Sequence, residues 1–133
     1  MADKSTFKPM ALWEIQHEAM SKGCQVVVGS PNQLQFDIDS QEDLTEHCFW
    51  LFKLHAHFVG QDLPKKEWRS RSGNWHIVID LPVELTVPER IALQSMGHSD
   101  HGREFAALCC HWAGSPNPLV LFKPFPKLLS AGN

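Results

Sequence analysis

The chain reads as an α+β domain, a mainly antiparallel sheet with helices packed on one face, and three observations carry that reading. "QLQFDID" and "NWHIVID" alternate apolar and polar residues, the pattern of half-covered strands. Stretches of helical periodicity separate the strand-like stretches, but the long crossovers that a doubly wound parallel sheet needs are too few. A length of 133 residues with 43% apolar content supports one core and is short for two. A single domain over 1–133 is therefore expected, compact from about residue 10 to 124 and followed by the Pro-rich tail "KPFPKLLSAGN".

Each element has its own justification. In "ALWEIQHEAMSK" Leu12, Ile15 and Ala19 recur at helical spacing, and Gly23 stands where a C-cap glycine belongs. The β-branched run "CQVVVG" then meets the turn residues "GSPN" and the alternating "QLQFDID", which together predict a β-hairpin. Ser40 fits an N-cap, with Asp43 three positions on, for a helix of about four turns through "QEDLTEHCFWLFKLHAHF". "KEWRSR" and "NWHIVIDL" read as two strands joined at Ser72-Gly73. A short helix is expected from near Pro88 to Gly97, another through "GREFAALCCHWAG", and a last strand in "LVLFKP" closed by Pro124.

Composition limits the function. Fifteen acids against twelve bases give a formal charge of -3, so no global positive field exists to attract phosphate backbones. Lys65, Lys66, Arg69 and Arg71 form a local basic patch, either a solvated strand-and-loop face or a phosphate track. The start "MADKSTFKPM" has no apolar signal region, and no run of eighteen apolar residues occurs, so a soluble cytoplasmic protein without membrane contact is expected. Cys24, Cys48, Cys109 and Cys110 lack CxxC spacing and are read as reduced, buried residues. His55 and His57 fall two apart on a helix, where side chains point to different faces, so one partly buried and one surface histidine are expected. Ser99 or Asp100 reads as the cap of the helix that follows.

The chemistry concentrates in the two alternating strands. Alternation puts Gln33, Gln35, Asp37 and Asp39 on one side of the first, and Asn74, His76, Val78 and Asp80 on one side of the second. If the strands are neighbours, these sets share a polar sheet face, read here as uncovered, where Asp37, Asp39, His76 and Asp80 converge. Carboxylates two apart on a strand sit roughly 6 to 7 Å from each other, close enough to share hard divalent ions such as Mg²⁺ or Mn²⁺. Trp68 is a candidate stacking surface for a base, whereas Trp75 falls on the apolar side with Ile77 and Ile79.

These residues also carry a resemblance. "LQFDID" resembles the first motif of the archaeo-eukaryotic primase superfamily, an apolar strand ending in Asp-x-Asp, and "SRSGNWHIVI" resembles its second. "RIALQSMGHSDHGREFAAL" is similar to a segment of small virus-encoded members, and together the matches span about residues 33 to 108. The resemblance implies a modified RNA-recognition-like core and a two-metal nucleotidyltransferase site. Asp37, Asp39 and His76 would be the catalytic residues, the two aspartates would hold Mg²⁺ or Mn²⁺ with Asp80 as a further ligand, and His76 would contact the nucleotide's phosphates. Lys66, Arg69, Arg71, Ser72 and Asn74 are the expected nucleotide or nucleic-acid contacts. The third motif departs, because "LVLFKP" has Lys123 where the family has an acid. Two functions follow from this: a small primase-polymerase-like nucleotidyltransferase acting in replication, or a primase-like module without catalysis. The module would bind a nucleotide, single-stranded nucleic acid, or a replication or host protein.

Overall fold

The structure is a computed structural model that describes residues 9–126. The beginning of the chain and the end of its Pro-rich tail lie outside the described residues. In chain order the elements are α1 (Leu12–Ser21), β1 (Cys24–Val28), β2 (Gln33–Ile38), α2 (Gln41–His57), β3 (Lys65–Arg69), β4 (Trp75–Asp80), α3 (Val87–Met96), α4 (His101–Trp112) and β5 (Val120–Pro124). Local chemistry sets the helix starts: Ser40 Oγ accepts from the Asp43 amide at 3.0 Å, Thr86 and Glu89 form a reciprocal capping box, and Asp100 accepts from the Arg103 amide. After α1 the chain turns at Gly23, whose φ of 72° is left-handed. Among the described residues no helix is long and apolar enough to cross a membrane.

The main sheet has the order β2-β4-β3, and both pairings are antiparallel. β2 and β3 therefore run parallel on either side of β4, and α2 joins them as a split β-α-β unit. One face carries Leu34, Phe36, Ile38, Ile77 and Ile79, all buried, against Leu54, Leu51 and Trp50 of α2. Phe36 meets the Trp50 ring edge-on at 5.5 Å between centroids.

Two expectations fail here. β1 and β2 do not form a hairpin: β1 pairs antiparallel with β5, from Cys24 opposite Pro124 to Val28 opposite Val120, and β2 pairs with β4. The intervening Gly29-Ser30-Pro31-Asn32 stretch makes one local turn bond, from the Gln33 amide to the Ser30 carbonyl; its other backbone bonds run outward, from the Gly29 amide to the Leu119 carbonyl and from the amides of Leu81 and Leu85 to the carbonyls of Asn32 and Pro31, and so carry the chain from one sheet to the other. Gly29 passes so close to Arg90 that an added Cβ would lie 2.5 Å from its guanidinium.

The polar sheet face is not open either. Gln35 is 0% exposed and His76 6%, because the β1–β5 ribbon lies across that face. The Phe122 carbonyl accepts from Trp68 Nε1 at 3.0 Å and faces His76 Nδ1 at 3.0 Å, while Gln35 Nε2 donates to the Val27 carbonyl. Alternation reports which side chains share a face; it does not report what covers them.

The outer edge of β2 has no strand beside it, and side chains of α3, α4 and the loop between them take a strand's place. Gln94 Oε1 accepts from the Gln35 amide at 2.8 Å, Ser99 Oγ from the Asp37 amide at 2.9 Å, and the Asp100 amide donates to the Asp37 carbonyl at 2.6 Å. Arg90 Nε and the Arg103 guanidinium donate to the carbonyls of Gln33 and Gln35. Behind them Glu104, 2% exposed, accepts from Gln94, Ser99 and Arg103. Backbone groups that an edge strand would leave unpaired are thus fully matched.

Candidate functional site

Asp37 and His76 are direct cross-strand partners of β2 and β4, so the pairing register itself brings them together. His76 Nε2 lies 3.3 Å from Asp37 Oδ1, and Asn74 Nδ2 donates to the same oxygen at 3.3 Å. Both ring nitrogens of His76 face acceptors, Asp37 on one side and the Phe122 carbonyl on the other. Donation at both positions at once requires the imidazolium form. Burial alone would raise the Asp37 pKa, but the hydrogen bond and charge of His76, the Asn74 hydrogen bond and the Arg103 charge together outweigh it and hold the carboxyl below its ordinary value.

The turn between β3 and β4 forms the wall above this pair. The Ser70 amide donates to the Asn74 carbonyl, Ser70 Oγ accepts from the Asn74 amide at 2.9 Å, and the Ser70 and Ser72 hydroxyls meet at 3.0 Å. Gly73, at φ 91°, makes the reversal possible. Arg71 reaches across to donate to the Lys22 carbonyl at the end of α1. Between the turn and the β1–β5 ribbon lies a cavity of about 590 Å³, with Asp37 and His76 at its base. Ser70, Arg71, Ser72 and Asn74 line one side, and Lys22, Cys24 and Phe122 the other.

Of the predicted site residues, the cavity gathers Asp37, His76, Arg71, Ser72 and Asn74. It does not gather Asp39, Asp80, Lys66 or Arg69. β2 ends at Ile38, so strand alternation no longer fixes the side of Asp39, which is exposed and absent from the cavity walls. Asp80 stands at the far end of β4 opposite Gln33, whose side-chain Nε2 donates to it at 2.9 Å, and is roughly 13 Å along the strand from His76. Lys66 is exposed on β3, and the Arg69 guanidinium stacks 4.0 Å from the Trp75 ring centre. Trp68 is pinned between the sheets, bonded to Phe122 and with Lys123 Nζ 5.2 Å over its ring, and so offers no free stacking platform. His55 and His57 are both exposed, and of the four free cysteines only Cys24 is buried.

Ser70, Lys22, Cys24 and Phe122 also line the cavity, although no sequence motif singles them out. Ser70 was within reach, since it closes the same turn as Ser72. The other three come with the β1–β5 ribbon, whose position over the polar face has no local signal.

The donor set does not fit two metal ions. Hard divalent ions take six or more oxygen ligands, mostly carboxylate, carbonyl, water or phosphate. Asp37 is the one carboxylate lining this cavity, and one of its oxygens already accepts from Asn74 and lies against His76. Among the described residues no three His, Cys, Asp or Glu side chains are grouped to hold one ion. Comparison of the chain with family models, curated proteins and solved structures finds no match.

Proposed function

We propose that this chain is a primase-like binding module that holds the phosphate-bearing part of a nucleotide, or of single-stranded nucleic acid, in the cavity above Asp37 and His76. The observation that carries the reading is the cavity wall: two serine hydroxyls, the Asn74 amide and the Arg71 guanidinium on one side, and Lys22 opposite. Hydroxyls and a guanidinium are the donors that phosphate oxygens take up, and a cavity of about 590 Å³ falls within the range that holds a small ligand. The Asp37 carboxylate at the base does not repel the anion outright, because His76 and Asn74 engage it. With one carboxylate in the cavity, binding is better supported than two-metal nucleotidyl transfer.

Thermal unfolding with ATP, with Mn²⁺, with both, and with a short single-stranded oligonucleotide tests this. A ligand at about 100 times its Kd stabilises the native state by about 2.7 kcal/mol, well within reach of a melting experiment. ATP or the oligonucleotide is expected to raise the Tm, and Arg71→Ala with Ser72→Ala to remove the rise. No shift with either ligand, or an unchanged shift in the double variant, defeats the proposal. Mn²⁺-dependent nucleotide addition to a primed template, lost in Asp37→Ala with Asp39→Ala, would instead place the chain among the nucleotidyltransferases.

A further inference from the structure

Lys66 and Arg69, which the cavity leaves out, sit on β3, the uncovered edge of the main sheet. The Asp80 amide donates to the Pro64 carbonyl and the Ser70 amide to the Asn74 carbonyl, so residues 64 and 70 bond toward β4. By alternation Lys66 and Trp68 do the same, and the N–H and C=O groups of Lys65, Glu67 and Arg69 point away from the sheet. Among the described residues nothing hydrogen-bonds to those backbone groups. Four of the five β3 residues are exposed. The two sheet edges thus contrast: β2 is sealed by a network of side chains, and β3 is left bare.

The charge on this edge selects its occupant. β3 holds three cations and one acid, and that acid, Glu67, already pairs with Lys65 at 3.4 Å. Lys66, Arg69 and the adjoining Arg71 have no carboxylate partner among the described residues. A second copy is a poor occupant, because antiparallel self-pairing centred on Glu67 sets Glu67 against Glu67 and Lys65 against Arg69, like charge against like, and leaves Lys66 opposite the uncharged Trp68. Nucleic acid would use the cations and leave the row of backbone donors and acceptors unused. An extended peptide uses both.

We infer that the β3 edge docks an extended acidic peptide segment of a partner protein, which adds to the sheet as a fourth strand. Carboxylates of the added strand opposite Lys66 and Arg69 meet two cations without a carboxylate partner, one on each side of the strand, Arg69 being held in place by its stacking on Trp75 and its bond to the Gly73 carbonyl. The inference stands apart from the cavity and survives a failure of the nucleotide reading.

The probe is a short end-blocked Thr/Val peptide with two glutamates spaced to face Lys66 and Arg69, compared with the same peptide carrying lysines there. Binding of the acidic peptide is expected to slow hydrogen exchange at the Lys65, Glu67 and Arg69 amides and to leave Lys66 and Trp68 unchanged. Lys66→Glu is expected to weaken it about tenfold. Glu67→Pro removes the central outward N–H while sparing the bonds to β4, and is expected to abolish binding with the fold intact by circular dichroism. Should Glu67→Pro unfold the chain, Lys66→Glu decides alone. Equal binding of the lysine peptide, undiminished binding to Lys66→Glu, or protection of these amides by a single-stranded oligonucleotide but not by the peptide overturns the inference.

Discussion

Replacing Glu104 by alanine tests whether the side-chain network along β2 holds the two halves of the fold together. Glu104 is 2% exposed and accepts from Gln94 Nε2 at 2.9 Å, from Ser99 Oγ at 3.0 Å and from the Arg103 guanidinium. Its loss leaves Arg103, whose side chain is 15% exposed, without its counter-charge and Gln94 without its acceptor. Breaking a buried pair from one side costs about 3 to 5 kcal/mol. Arg103 keeps its bonds to Gln35 and Val120, which places the expected loss at the lower end, about 3 kcal/mol, or a fall in Tm of roughly 10 °C. Urea unfolding measures it, with an unchanged slope showing that the native and unfolded states remain comparable. Glu18→Ala is the control: it breaks the solvent-exposed pair with Lys22 and should change stability by less than about 0.5 kcal/mol. A loss below about 1 kcal/mol in Glu104→Ala would refute the reasoning, since a sealed edge cannot give up its central acceptor so cheaply.

Gly97→Ala should destabilise by about 1 to 3 kcal/mol in the same assay, because the new Cβ would lie 2.6 Å from the Phe36 ring and 2.8 Å from Trp50, both fixed in the core. His47 is buried against Phe36, its Nδ1 donates to the Gly97 carbonyl at 2.7 Å while its Nε2 has no partner among the described residues, and burial lowers its pKa from 6.5. Its folded pKa lies below the unfolded one, so the native state resists protonation and stability falls as pH drops below about 6.5; in His47→Phe that part of the pH dependence should vanish, and an identical curve would show that His47 does not cause it. Asp37 also has a folded pKa below its unfolded value of 3.8, so its contribution is complete above that pH and is lost as pH falls toward the lower folded value. The wild type should therefore lose more stability than Asp37→Asn between neutral pH and strong acid, and parallel losses would contradict the assignment.

Local chemistry made much of this fold legible. Ser40 and Asp100 cap the helices that their positions suggested, and the period-two pattern placed Leu34, Phe36 and Ile38 on the buried side. The same pattern put Asp37 and His76 on the polar faces of their strands, and the β2–β4 register makes the two direct neighbours. What local pattern could not carry was long-range. Val27 and Leu121 pair across most of the chain, so a β-branched run followed by a turn read as a hairpin although its partner lies at the other end. Gln35 looked like a solvent-facing residue because glutamine usually is one; here Arg103, Val27 and the network along β2 satisfy its polar atoms and allow full burial. Asp39 misled for a simpler reason, since the rule of alternate sides lapses where the strand stops.

The sealing of β2 also orders events in time. The Gln35 amide finds its acceptor 59 residues later in the chain and the Asp37 amide 62 residues later. A nascent chain emerging from the ribosome thus presents β2 with a bare edge until the α3–α4 segment follows, and β1 waits longer still for β5. Unpaired strand edges are what partly made chains use to aggregate. Synthesis arrested before Gln94 should therefore yield a product that associates with chaperones or with its own kind, and only release of the α3–α4 segment ends that exposure.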